Sequence, residues 1–386
     1  MNIEQEIIRY TKKDWSKPHY SKKDKKTTLA LPNKFISPNK ELFNKDQFYW
    51  DSYFIILGLI ELKKIELAKG MVDNFVYLFK RFGIIPARNR YYNIGISQPP
   101  FLTSMAKEVY NKTKDTKWFI KVMKIAEREL NEYWKSRETV EQHIVTLNLS
   151  RYCDHNVTND TAEQESGWDM TSRFKEDCLD YLPVDLNSCL YKYEKDLAEF
   201  YQMNKKNEKA EEYERLAEKR KEEMFNHMWS EKRGFFFDYN YIKQKRSTFY
   251  SLAGFYPLWA GMVTHSNMKN KMAKKLRFFE YKGGLVNTQK KGISKKYRQW
   301  DYPNGWPNQQ YIVIDALRNN GFKDHSIRLA RKWIDLNNEV FKETKKLWEK
   351  YDVTNKSVGK DGRYKTQSGF GWTNGVYLRL LNQYLK

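Results

Sequence analysis

The chain has 386 residues, with 70 Lys and Arg against 48 Asp and Glu, for a net charge of +22. Its length exceeds the size at which one core usually stops growing, so two domains are the default, yet no Pro-, Gly- or Ser-rich stretch marks a linker. The charge invites a nucleic-acid reading, but lysine pairs such as Lys63-Lys64, Lys205-Lys206 and Lys345-Lys346 are scattered among acids. No RNA-binding signature, basic heptad arm or zinc-finger spacing accompanies them, so the lysines read as a solvated surface and no nucleic-acid partner is expected.

Cys153, Cys178 and Cys189 are odd in number and form no CxxC, which fits free thiols in a reducing compartment. Residues 1–15 lack a hydrophobic leader core, and no run approaches the roughly 18 apolar residues needed to span a bilayer. The expectation is a cytoplasmic monomer without membrane contact.

Residues 1–45 read as irregular, because Pro18, Pro32 and Pro38 interrupt any long helix. From residue 46 onward the pattern is helical. Met71, Phe75, Leu78, Phe79 and Phe82 make one stripe, and Tyr213, Leu216, Ala217, Met224 and Met228 another. Periodic segments predict helices near 52–68, 71–82, 98–113, 116–135, 140–150, 187–204, 206–228, 247–262, 268–278, 306–320, 323–340 and 370–385. Strand alternation is scarce, and 234–238 reads as a short hairpin arm. Twelve helices in consecutive pairs without a linker predict an all-α (α/α)6 barrel over 46–386. An open solenoid is the competitor, but no repeat of fixed period is present.

The loops at 43–51, 86–100, 150–173, 297–307 and 348–372 concentrate Trp, Tyr, Asp, Asn and Gln. Asp169 lies in Glu165-Ser-Gly-Trp-Asp-Met-Thr-Ser-Arg173, and Glu349 in Trp348-Glu-Lys-Tyr-Asp352. Two carboxylates in aromatic surroundings suit glycosidic cleavage: apolar burial keeps one protonated as an acid, and the other activates water or attacks directly. Trp50 and Asp51 stand at a helix start, where Asp51 is either a first-turn acid or a hydroxyl acceptor. Ser97 and Gln98 precede two prolines, a helix-opening pattern that also offers a sugar diol an amide. Trp300, Asp301 and Trp306, and Phe370 further on, sit in turns holding more ring and polar edge than a turn needs. The six histidines are isolated, and there is no HExxH, Walker A, GxGxxG or GxSxG. No metal and no cofactor are expected.

Together, the segments YWDSYF (49–54), SQPPFLTSM (97–105), ESGWDMTSRF (165–174), PVDLNSCLYKYEKDLA (183–198), GGL (283–285), QWDYPNGWPNQQ (299–310), EKYDV (349–353) and SGFGWTNGV (368–376) resemble, in order and spacing, the trehalases of glycoside hydrolase family 37. The resemblance runs from about residue 43 to the C-terminus. It implies an (α/α)6 barrel and inverting hydrolysis of an α-glucoside without metal or cofactor. By position Asp169 matches the family's general acid and Glu349 its general base. Trp50, Asp51, Ser97, Gln98 and the backbone at Gly167 match sugar-binding positions. Trp168 and the retained Asn89 and Arg90 join the candidate contacts.

The chain also departs from the pattern. The Gly-Gly-Arg-Phe segment before YWDSY is absent, and a loop bearing Arg-Pro-Glu-Ser is missing between Arg151 and Glu165. The family's Arg-Ser-Gln-Pro-Pro begins here with Ile96, its Pro-Asn-Gly-Asn-Arg reads Pro86-Ala-Arg-Asn-Arg90, and a glutamate is replaced by Arg363. Arg88, Arg90 and Arg363 either compensate for lost arginines or meet an acidic aglycone such as a glycerate. The expected substrate is therefore a small sugar, α,α-trehalose first. The alternatives are another small α-glucoside or α-mannoside, and a weakly active sugar-binding role.

Overall fold

The computed structural model describes residues 2–136 and 142–385. Its α-helices are α1 (Ile3–Asp14), α2 (Tyr49–Glu61), α3 (Ile65–Phe82), α4 (Leu102–Thr113), α5 (Thr116–Arg128), α6 (Asn159–Ser166), α7 (Val184–Met203), α8 (Asn207–Met228), α9 (Tyr256–Trp259), α10 (Ser266–Ala273), α11 (Pro307–Asn319), α12 (Lys323–Thr344) and α13 (Gly371–Leu380). They form an (α/α)6 barrel. Helices α2, α4, α7, α9, α11 and α13 make the inner ring, and α3, α5, α8, α10 and α12 lie outside it.

Burial explains the two layers. Every residue of α2 from Tyr49 to Ile60 is buried, as is all of α13, so neither has a polar face to turn to water. The outer α3 instead buries one stripe, including Met71, Phe75 and Phe79, and stops at Gly83, whose φ of +72° caps it. Helices α2 and α13 close the ring almost backbone to backbone. A Cβ on Gly375 would lie 2.0 Å from the Phe54 carbonyl oxygen, and one on Gly58 2.5 Å from the Gly375 Cα. Across the ring, Tyr193 of α7 accepts the Leu102 N–H of α4 at 2.7 Å.

The expectation for residues 1–45 requires correction. Asn2 caps α1 by accepting the Glu4 N–H at 3.2 Å, and Ile7 and Thr11 are buried along one face. The prolines fall after this helix ends, so they do not interrupt it. Helix α1 lies against α12, where Tyr10 meets Phe341 edge-on at 5.3 Å. A hairpin pairs His19–Ser21 with Leu31–Phe35.

Three helix expectations also change. The 52–68 segment breaks at Lys63, whose φ is +58°. Of the 140–150 segment, residues 140 and 141 lie outside the described residues. The rest forms a hairpin, Ile144–Thr146 with Leu149–Ser150, turned by Leu147 and Asn148 at φ +55° and +52°. The Asn187 amide then holds both backbone groups of Ser150, at 2.9 and 2.8 Å. The 247–262 segment is helical only over Leu252–Trp259, because Gln289 pairs with the Tyr250 backbone and holds it extended. Helix α6, in a segment read as a loop, begins at the Thr158 cap. The hairpin arm is present, with Trp229–Ser230 paired to Phe235–Phe236. Among the described residues, no helix is long and apolar enough to cross a membrane.

Candidate functional site

One end of the barrel holds a cavity of about 320 Å³. Its wall includes three acids, Asp51, Asp169 and Glu349, and four indoles, Trp50, Trp300, Trp306 and Trp372. Gln98, Gly167, Arg363 and Phe370 also line it. Ten of the fifteen sequence candidates thus converge on one chamber.

Asp51 sits in the first turn of α2 and is only 4 % exposed. Burial, and then the nearby Glu349 charge, raise its carboxyl well above the usual range. A protonated Asp51 can donate to a sugar hydroxyl as well as accept from one.

Asp169 follows the end of α6. Gly167 makes that end possible: its φ is +72°, and a Cβ there would lie 2.4 Å from the Trp50 ring. The Asp169 side chain is 29 % exposed, with Arg363 Nη1 3.9 Å from Oδ2. Burial against the indole-rich wall pushes its carboxyl up to about 7, although Arg363 pulls the other way. Partial exposure and a raised pKa are compatible here, since the wall removes much of the hydration of the charged form while leaving a path to water.

Glu349 is 1 % exposed yet lines the cavity. Tyr364 Oη donates to its Oε1 at 2.6 Å, and Lys350 Nζ reaches its Oε2 at 3.0 Å. Its N–H donates to the Gln367 carbonyl at 2.9 Å, and its carbonyl accepts from Trp372 Nε1 at 3.1 Å. The adjoining strand Tyr351–Asp352 pairs with Asn304–Gly305, which ties this loop to the Trp300–Trp306 turn.

The indoles form a stack. Trp300 and Trp306 lie 3.9 Å apart at 2°, Trp168 is 5.3 Å behind Trp300, and Trp50 is 5.7 Å from Trp300. The guanidinium of Arg173 sits 5.0 Å from the Trp168 ring and is held by Asp185 and Asp238. Arg173 is thus a buttress behind the wall.

Five candidates do not line the cavity, and each has a structural task instead. Asn89 is sealed; it accepts the Gln47 N–H at 2.7 Å and donates to the Leu29 carbonyl at 3.3 Å. Arg90 pairs with Asp46 and donates to Thr28 at 2.8 Å, pinning the N-terminal segment. Ser97 donates to the Ile85 carbonyl at 2.7 Å. Trp168 is one ring too deep. Asp301 accepts from Thr171 Oγ1 at 3.0 Å and Ser172 N at 2.9 Å, so it braces the Asp169 loop from behind. For Asn89, Arg90, Ser97 and Asp301 the side-chain polarity satisfies loop backbone or another side chain, which spacing alone does not separate from ligand contact.

Sequence reasoning passed over Tyr364 and Lys350. Lys350 stood inside the quoted Trp348–Asp352 segment, and its signal was a cation adjacent to the proposed base. The departures Ala87, Arg88, Ile96 and Arg363 all line the cavity. Arg88 pairs with Asp46 at 3.1 Å and Asn93 at 2.9 Å, with its guanidinium 5.0 Å from the Phe48 ring.

Acidic groups flanked by stacked rings at the mouth of a helical barrel define a site suited to a carbohydrate, whose ring faces stack and whose hydroxyls pair. The trehalase family model matches residues 1–167 and 158–385, and the chain belongs to that family. It is 32 % identical to a cytosolic neutral trehalase of Kluyveromyces lactis, over 85 % of this chain and 54 % of that protein. It is also 32 % identical to a periplasmic trehalase of Xanthomonas oryzae, over 92 % and 69 %. Among solved structures, neutral trehalase Nth1 from Saccharomyces cerevisiae superposes with a TM-score of 0.81 at 29 % identity, covering 92 % of this chain and 74 % of that one. A mannosylglycerate hydrolase from Thermus thermophilus shares the fold, at a TM-score of 0.69 and 15 % identity, over 99 % and 100 % of the two chains. The chain spans about half the length of the yeast relatives it matches.

Proposed function

We propose that the protein is an inverting α-glycoside hydrolase that splits α,α-trehalose into two glucose molecules. Asp169 protonates the interglycosidic oxygen as the bond to the anomeric carbon breaks. Glu349 takes a proton from a water that attacks the same carbon from the opposite face, so one glucose is released first as the β anomer. An inverting geometry calls for about 6.5–9.5 Å between the two carboxyl groups. The observation that carries this reading is that a raised carboxyl, Asp169, and a carboxylate held by an ammonium and a phenol, Glu349, border one cavity. Family membership supports the substrate.

The cavity departures favour a second reading, in which the aglycone is acidic. Arg363 is 41 % exposed and meets Asp160 and Asp169 only at 3.5 and 3.9 Å, so its guanidinium is free to turn to an anion. One experiment tests both. The purified protein is incubated with trehalose and a panel of α-linked disaccharides and glycosylglycerates, and NMR follows the first-formed anomer. β-Glucose from trehalose supports the first reading, and release from a glycosylglycerate alone supports the second. An α anomer released first overturns inversion.

The same reading treats residues 46–386 as one catalytic unit acting as a monomer, with no metal or cofactor. The buried Cys178 and Cys189 thiols fit a cytoplasmic setting, although the relatives include both cytosolic and periplasmic proteins.

A further inference from the structure

We infer that Lys350 and Tyr364 form a two-point clamp that fixes the plane of the Glu349 carboxylate, which makes both of them positioning residues for the hydrolysis. The inference rests on the reading of Glu349 as the base. Each oxygen of Glu349 is held by a different donor, Tyr364 Oη at Oε1 and Lys350 Nζ at Oε2, at 2.6 and 3.0 Å. A glutamate carboxyl rotates broadly about its last torsion, and two donors on two oxygens remove that freedom. Each oxygen keeps a second lone-pair direction, and the cavity face of Glu349 leaves one open to a water.

The construction around Lys350 is specific. Its side chain is 0 % exposed, as lysines almost never are unless paired. The ammonium lies 5.1 Å from the Trp306 ring centre and 5.8 Å from that of Tyr364. Gly359 leaves room for the stem: a Cβ there would sit 2.8 Å from Lys350 Cγ, and the Gly359 N–H donates to the Lys350 carbonyl at 3.1 Å. The start of α11, the Glu349 loop and the 359–364 loop therefore meet at one ammonium. Breaking a buried pair is strongly unfavourable to the fold as well, so the test needs a readout that stability alone does not move.

The charged and titratable groups facing Glu349 are Lys350, Tyr364, Asp51 and Asp169. Removing the ammonium takes the opposite charge from beside the buried Glu349 carboxylate, which disfavours its ionised form. In Lys350→Met the acidic limb of kcat/KM therefore moves to higher pH. The alkaline limb, set by Asp169, stays in place. Steady-state kinetics on trehalose across pH for the wild type, Lys350→Met, Lys350→Arg and Tyr364→Phe test this. The expected result is a kcat loss of about tenfold or more in Lys350→Met, part of the general-base contribution, with KM nearly unchanged. Lys350→Arg recovers part of the loss. Tyr364→Phe shows a smaller kcat loss and a smaller move of the acidic limb to higher pH, since a neutral donor to the carboxylate is lost. Wild-type kcat and limbs in Lys350→Met overturn the clamp, as does a loss confined to KM. Should Lys350→Met not fold, Tyr364→Phe decides, and an undiminished kcat there overturns the clamp. A wild type inactive on the whole sugar panel overturns the base reading and the clamp with it, whereas an active wild type with indifferent variants overturns the clamp alone.

Discussion

The two loops that supply the proposed acid and base are built in opposite ways. The Asp169 loop is braced from behind, by Asp301 on Thr171 and Ser172 and by Glu163 on the Thr171 N–H at 3.1 Å, while its carboxyl meets its own backbone N–H and a distant, partly exposed arginine. The Glu349 loop grips the carboxyl itself, through Tyr364 and Lys350. The contrast matches two different demands. A proton donor must exchange its proton with water each cycle and must stay neutral near pH 7, so it is left half in contact with solvent against apolar rings. A proton acceptor must point one lone pair at a bound water, so its orientation is fixed.

Deleting either function breaks the comparison most severely. Asp169→Asn and Glu349→Gln are each expected to lower kcat by about 10²–10⁴-fold, with KM for trehalose far less affected, as steady-state assays would reveal. Loss of activity in only one variant would mean that the loops do not share one reaction.

Gly167→Ala comes next. The substitution combines a φ of +72° with a methyl 2.4 Å from the Trp50 ring, so the Asp169 loop or the indole must shift. Destabilisation of about 1–3 kcal/mol is expected from the strained φ and the overpacking, measured as a lower denaturant midpoint together with a reduced kcat.

Asp301→Asn probes the bracing from behind. It removes an ionised acceptor from two hydroxyls and a backbone N–H while keeping the shape. A stability loss of about 1.5–3 kcal/mol is expected for charged hydrogen bonds of this kind, read by thermal unfolding. A variant that lost trehalose binding but no stability would return Asp301 to the list of sugar contacts.

The smallest effect sharpens the comparison. In the proposed mechanism Asp169 acts while protonated, so activity should fall as pH rises through about 7. Arg363 favours the ionised form, and Arg363→Met should therefore move the alkaline limb of kcat/KM to higher pH. The shift should stay under about one unit, because the pair is long and partly solvated. A downward shift would contradict the sign of the interaction.

The chain by itself determined the class of fold and singled out the two acids proposed for catalysis, which share one cavity. Helical periodicity over most of 46–386, the absence of a linker and eight ordered segments sufficed, because stripe spacing and loop composition are local properties of the text. It also carried α1 unrecognised, since Ile7 and Thr11 become a buried face only where α12 lies opposite. What only the tertiary structure decided was which polar side chains face the chamber. Asn89, Arg90, Ser97 and Asp301 have the same chemistry as true lining residues, and their neighbours from other loops turn them to backbone groups or other side chains instead. Lys350 shows the reverse: a lysine among many on a +22 chain, it becomes singular only where two rings and a glutamate enclose it. Side-chain chemistry is written residue by residue, but the direction in which that chemistry is spent depends on partners in other loops, up to 130 positions away for Asp301, and folding alone supplies them.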